Sequence, residues 1–320
     1  MRISSLALGA AATVALGALG LVGFTALTAR QVEAALPPQG RFIDIDGNHI
    51  HYLDVGAGPT ILMVHGLGGQ MRNFTYGLVD QLKDRFRVVV MERPGSGYSH
   101  RARGASARLG VQADVVAAFV RALSLDRPLL VGHSLGGALS LAVALRNPGL
   151  LGGLALVSPL TQPQSTAPDA FRGLAISSSL LRGLVAWTLA TPLALAGREK
   201  VLRQIFSPEP APDDFALRGG GALGLRPKAF YATSVDLMAV GEDLPGFHAR
   251  YRTLDLPIAI LFGADDRILD PQTHGASMVR QAPNVTYEAL EGGGHMIPIT
   301  RPDDVADFIA RAYTRTKAER

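Results

Sequence analysis

In the stretch LLVGHSLGGALS, Leu129 to Ser140, an apolar run ends at Val131, glycines crowd around Ser134, and a helix-like pattern follows. A strand that delivers a serine to a tight turn ahead of a helix exposes its hydroxyl at the C-terminal edge of a sheet. There the helix N-terminus favours developing negative charge. So sharp a turn requires a strained backbone at Ser134, and chains pass so close that Gly132 and Gly136 must lack side chains. A serine hydroxyl becomes a nucleophile only when a base takes its proton, and that base needs an acid to hold its tautomer. Candidates for both follow in the chain. The strand pattern LPIAILFG runs into Ala264-Asp265-Asp266, and VTYEALEGGGHMIP carries His295 on a glycine-rich loop after the next strand. The order serine, acid, histidine is the one expected of a strand–turn–helix nucleophile. On position alone Asp265, Asp266 and Asp270 all remain open as the acid.

These residues need a scaffold. RFIDIDG and HIHYLDVG alternate apolar and polar residues around Asp46-Gly47-Asn48, which reads as a hairpin. PTILMVHG, RVVVMERPG, PLLVGHS, LGGLALVS and LPIAILFGADD are short, nearly continuous apolar runs, the mark of strands buried on both faces of a parallel sheet. Helix-like segments such as FTYGLVDQLKDRF, LGVQADVVAAFVRALSL and LGGALSLAVALRNP lie between most of them. The alternation predicts an α/β fold with a doubly wound, mostly parallel sheet. From about residue 158 to 254 no strand pattern appears, an interval far longer than an ordinary connection. Within it FRGLAISSSLLRGLVAWTLATPLALA reads as a helix with Ile176, Leu180, Leu184 and Trp187 on one face. Leu181, Val185 and Leu189 form a second stripe beside it, while Arg182 and Pro192 argue against a membrane span. The expected organisation is a core of residues 41–158 and 255–320 with a helical cap, a candidate lid, at 159–254.

Residues 1–35 stand apart. No charged residue falls between Arg2 and Arg30, and LALGAAATVALGALGLVGFTAL is longer than a secretory h-region. An uncleaved anchor is expected, with the catalytic part outside the cytoplasm. Val32-Glu33-Ala34 leaves a cleaved signal, and a secreted or periplasmic protein, as the alternative. The Pro-rich LPPQG reads as a linker to the core. Of the whole 320 residues 48% are apolar and the formal net charge is +4, but the basic clusters lack interleaved aromatics, so no nucleic-acid partner is expected. The chain has no cysteine, which excludes disulfides, thiolate metal sites and a cysteine nucleophile. His49 and His51 share a strand face, yet two histidines without a carboxylate cluster predict no metal site.

Five motifs carry a resemblance to a known family: His65-Gly66-Leu67-Gly68, Arg93-Pro94-Gly95-Ser96-Gly97, Gly132-His133-Ser134-Leu135-Gly136, Gly263-Ala264-Asp265-Asp266 and Gly294-His295. From about Arg41 to the C-terminus the chain resembles the α/β-hydrolase fold superfamily, in the branch with a helical cap. The resemblance selects Asp266, three residues after the strand-ending Gly263, as the acid of a Ser134–His295–Asp266 triad. It implies an oxyanion hole built from the backbone N–H groups of Leu135 and Leu67, with His65 and His133 packing the loops, and no cofactor. Glu92 stands where relatives commonly have Asp, and Ser96 where many have His. The expected activity is hydrolysis, through an acyl-enzyme, of carboxylic esters with a hydrophobic part, by a membrane-associated carboxylesterase or small lipase acting on a small-molecule ester. A carboxylate nucleophile, as in epoxide hydrolases and haloalkane dehalogenases, is absent from the serine's position. The alternatives are a carbon–carbon bond hydrolase, against which Met296 replaces the tryptophan found in several, a cofactor-free haloperoxidase-like enzyme, and a non-catalytic tethered binding protein.

Overall fold

A computed structural model describes residues 2–164 and 166–318, and of residues 2–14 and 318 it describes the backbone alone. The apolar N-terminal segment forms one long helix, α1 (Arg2–Ala35). The hairpin follows as β1 (Arg41–Ile45) and β2 (Asn48–Val55), paired antiparallel across Asp46-Gly47. After β3 (Thr60–Val64) the expected single helix is two short ones, α2 (Arg72–Thr75) and α3 (Leu78–Leu82), parted at Gly77. β4 (Arg87–Met91), α4 (Leu109–Ala122), β5 (Leu129–His133), α5 (Leu135–Arg146) and β6 (Gly153–Val157) complete the first half.

Among the described residues no strand lies between β6 and the next one. The insertion holds α6 (Ser179–Trp187), α7 (Ala190–Phe206) and α8 (Pro227–His248), with a 3₁₀ turn at Gly221–Leu225. The apolar stretch is not the one helix that its periodicity predicts. The side chain of Ser178 caps α6 by accepting the N–H of Leu181, and α6 meets α7 at a 75° bend. Pro192 falls in the first turn of α7, where the lack of an N–H costs nothing. The chain then returns through β7 (Ile258–Gly263), α9 (Met278–Gln281), β8 (Val285–Leu290), α10 (Ile297–Thr300) and α11 (Pro302–Ala318).

The eight strands among the described residues form one sheet in the order β1-β2-β4-β3-β5-β6-β7-β8, antiparallel through β1, β2 and β4 and parallel from there on. Leu62, Val64, Leu130 and Leu156 pack on α4 and α5 on one face, and Met63, Val131 and Val157 pack on α3 and α11 on the other. Burial on both faces accounts for the near-continuous apolar strands. Because the parallel strands share one direction, their C-terminal ends bring Gly66, Ser134 and Asp266 to one edge of the sheet.

The LPPQG segment is no free linker. Leu36 and Val32 are buried against Leu223 of the insertion, the Tyr98 hydroxyl donates to the carbonyl of Leu36, and Arg72 Nη2 donates to that of Pro37 at 3.2 Å. Glu33 pairs with the buried Arg226 at 3.4 Å.

Candidate active site

β5 ends at His133, and Ser134 turns the chain into α5 with φ +55° and ψ −120°, a region that costs a residue with a side chain of order 1–3 kcal/mol. Glycines make the turn feasible. A Cβ on Gly132 would lie 2.4 Å from the carbonyl oxygen of Gly136, and one on Gly136 would lie 2.2 Å from that of Val64.

His295 Nε2 lies 3.1 Å from Ser134 Oγ, and His295 Nδ1 lies 2.7 Å from Asp266 Oδ2. Asp266 is buried, and its other oxygen accepts the N–H groups of Ile268 and Leu269 at 2.8 and 3.0 Å. Burial alone would raise its carboxyl, but the facing His295 and the bonds from that ring and the two amides hold it below the ordinary carboxylate range. An ionised Asp266 keeps the proton on Nδ1 and leaves Nε2 free to accept from the serine hydroxyl. Asp265 and Asp270 point elsewhere: both are exposed, and Asp270 Oδ2 accepts the N–H of Thr273 at 2.7 Å.

The two expected oxyanion donors share a construction. As the first residue of α5, Leu135 has an N–H with no carbonyl of its own helix to bond. The carbonyl of that same peptide unit, on Ser134, accepts from Gly137 at 2.8 Å and from Leu160 at 2.9 Å. The carbonyl of Gly66, in one peptide unit with the N–H of Leu67, accepts from Arg93 Nη2 at 3.0 Å, and His65 Nδ1 lies 2.9 Å from it. Each of these two peptide planes is thus held in place by bonds at its carbonyl. A Cβ on Gly66 would stand 2.8 Å from that of Ser134, so loop and nucleophile are in near contact.

Arg93 organises this corner. Fully buried, it also donates to the carbonyl of His65 at 3.2 Å, to Gln112 at 3.0 Å and to Asp236 of α8 at 2.7 Å. Its backbone N–H reaches His65 Nε2 at 3.1 Å, so His65 is the neutral tautomer with its proton on Nδ1. Burial and then the Arg93 charge hold His65 well below its ordinary range. His133 Nε2 lies 3.0 Å from the carbonyl of His295, and burial followed by the His295 ring lowers it to about 3. From the insertion, Glu209 accepts the N–H of Gly294 at 3.1 Å, the hydroxyl of Thr300 at 2.7 Å and Nε of Arg301 at 2.7 Å, gripping the loop that carries His295.

The sequence pointed to Arg93 only as part of a motif, and nothing near Glu209 or Asp236 marked them as partners. Their contacts join positions 85 or more apart in the chain. His49 and His51 each face a single carboxylate. His49 meets Asp44 at 2.6 Å, and buried His51 meets Glu92 at 2.8 Å, but these are separate pairs. Glu92 also accepts the N–H groups of Met71 and Tyr98, at 3.2 and 2.6 Å, so it supports the loops around the site.

Ser134 and His295 open into a cavity of about 680 Å³ between core and insertion. Leu67, Leu174, Leu193, Leu202, Phe215 and Phe230 are among its walls, and Gln70, Asn73, Arg198, Asp213 and Thr233 add polar groups.

The chain belongs to the alpha/beta hydrolase fold family, whose model matches residues 59–302. It is 28% identical over 283 residues to haloalkane dehalogenase 2 of Mycobacterium tuberculosis, covering 87% of this chain and 96% of that protein. It is also 28% identical over 274 residues to the dihydrolipoyllysine-residue acetyltransferase component of the acetoin cleaving system of Cupriavidus necator, covering 82% of this chain and 66% of that one. Among solved structures, a membrane phospholipase A described as a bacterial virulence factor superposes with a TM-score of 0.68 over 99% of both chains at 24% identity.

Proposed function

We propose that this hydrolase cleaves carboxylic esters with a hydrophobic part, using Ser134, His295 and Asp266, and that α1 anchors it in a membrane. The observation that carries the reading is the unbroken relay from Asp266 through His295 to Ser134 Oγ, at 2.7 and 3.1 Å, at the floor of a largely apolar cavity. Ser134 Oγ attacks the ester carbonyl carbon while His295 Nε2 takes its proton, and the oxyanion forms between the N–H groups of Leu67 and Leu135. Collapse breaks the bond to the alcohol oxygen, which receives the proton from His295. Water, deprotonated by His295, then attacks the acyl-enzyme and releases the acid with Ser134 restored.

A serine where haloalkane dehalogenases resemble this chain but use a carboxylate turns the chemistry from halide displacement to acyl transfer. The membrane phospholipase neighbour shares the fold with α1 included, which agrees with a lipid-like ester as substrate. The described 21-residue stretch Ala15–Ala35 is long and apolar enough to cross a membrane. Val32, Glu33 and Leu36 pack on the insertion, which favours an uncleaved α1.

The test is hydrolysis of p-nitrophenyl esters, from acetate to long acyl chains, by the full chain in detergent micelles. Ser134→Ala and His295→Ala are expected to lower kcat by roughly 10⁴-fold or more with folding intact. A well-folded protein that cleaves none of the series overturns the ester reading.

A further inference from the structure

α6 is built inside out. It buries Arg182 (6% exposed) and Ala186 (1%), while Leu180 is 86%, Leu184 60% and Trp187 49% exposed. The buried guanidinium is matched: Nε donates to Ser234 at 2.9 Å, Nη2 donates to the carbonyl of Ile176, and the group lies 5.4 Å from the Tyr231 ring centroid. A helix facing water shows the opposite pattern, with charge outward and leucine inward. Charge turned to the protein interior and apolar side chains turned out is the arrangement of a surface whose solvent is hydrocarbon. The exposed apolar surface continues through Leu189 and into α7 at Leu193, until charge returns at Arg198, Lys200 and Arg203.

Position says what covers this ridge. α1 packs against α6, α7 and the 3₁₀ turn Gly221–Leu225, and its buried face runs from Val32, four residues before buried Leu36, back to fully buried Thr25. A bilayer core takes ~20 helical residues at ~1.5 Å each. If the span is Ala15–Ala35, the ridge beside it lies at the depth of the acyl chains. If the span is shifted as far as the start of α1, Thr25 still falls only roughly 5 Å past its end. Either placement puts the α6–α7 ridge at the membrane.

We propose that this ridge is a lipid-facing surface, seated in the leaflet next to α1, and that the cavity over Ser134 opens along it toward the acyl chains. Leu193 belongs to both surfaces: it is 63% exposed and also lines the cavity. The apolar-to-charged change within α7 then marks the boundary with the headgroups, and Trp187 is the interfacial aromatic. The inference rests on α1 being a membrane anchor.

Trp187 is the chain's one tryptophan, so its fluorescence reports on the ridge alone. The full chain is reconstituted in phosphatidylcholine–phosphatidylglycerol vesicles, with and without brominated acyl chains, and flotation after an alkaline wash establishes insertion. Brominated lipid is expected to quench the emission by roughly half or more, with iodide in the buffer having little effect. Protein that floats but is quenched by iodide and not by brominated lipid overturns the ridge proposal and leaves the anchor standing. Shielding from both quenchers overturns it in favour of a second copy covering the ridge. Protein that does not float overturns anchor and ridge together. Leu180→Ser with Leu184→Ser, outside the cavity wall, is expected to lower hydrolysis of vesicle-embedded esters about tenfold while sparing soluble short-chain esters. Equal loss on both substrates also overturns the proposal.

Discussion

Ser134 and His295 were legible because their chemistry demands a signature: glycines where chains nearly touch, and a histidine on a glycine-rich turn after a strand. The acid was harder, since Asp265 and Asp266 are neighbours and backbone position alone serves either. Side-chain direction separates the two and supports Asp266, which is turned inward to three donors while Asp265 is exposed. Asp266→Asn is therefore expected to lower kcat about 10⁴-fold through loss of the correct imidazole tautomer. Asp265→Asn should leave kcat within about twofold, as a surface change away from the reacting atoms. Steady-state kinetics on one soluble ester compares the two, and equal losses would contradict the assignment.

At the scale of elements, strands and core helices follow from periodicity, whereas the insertion does not. A pattern of apolar residues at helical spacing says where a helical face lies, not that a capping Ser178 and a 75° bend divide it into α6 and α7. Nor does periodicity reveal that α8 sends Asp236 into the core to meet Arg93 and Arg101, at 2.7 and 2.5 Å. Such pairings depend on tertiary contact between distant segments, and no local rule encodes them. Removing one partner of a buried pair strands the other charge, so Asp236→Ala is expected to cost about 3–5 kcal/mol in urea unfolding. Asp236→Asn keeps the volume and some of the hydrogen bonding. It loosens the guanidinium that ties the Gly66 carbonyl, so kcat should fall about tenfold with KM little changed, less than the loss of a whole oxyanion donor.

For the molecule as a whole, the parallel sheet makes the site possible by collecting strand ends at one edge, and that topology was readable from the order of strand and helix. The protonation of its interior was not. His274 Nδ1 accepts the N–H groups of Thr161 and Gln162, both at 3.2 Å, and His65 Nε2 accepts that of Arg93, bonds that exist only while those nitrogens are unprotonated. Burial, before any charge, lowers His274 to about 4 and His133 to about 3. The unfolded chain binds these protons at higher pH than the folded one, so the stabilisation is complete above about pH 6.5 and drains away as pH falls toward the folded values. Each such histidine contributes a slope of about 1.4 kcal/mol per pH unit within that window. The urea midpoint should be nearly level from about pH 8 to 7 and drop steeply between about pH 6 and 4, and a level profile throughout would contradict the neutral assignments. The docking of Leu36 and Glu33 on the insertion reaches further still. A helix joined by a leash would let the catalytic body tumble and sample a volume. Joined by a strut, the body keeps one heading relative to α1, and with α1 anchored as proposed, what it meets is set by how crowded a surface is rather than by how concentrated a solution is.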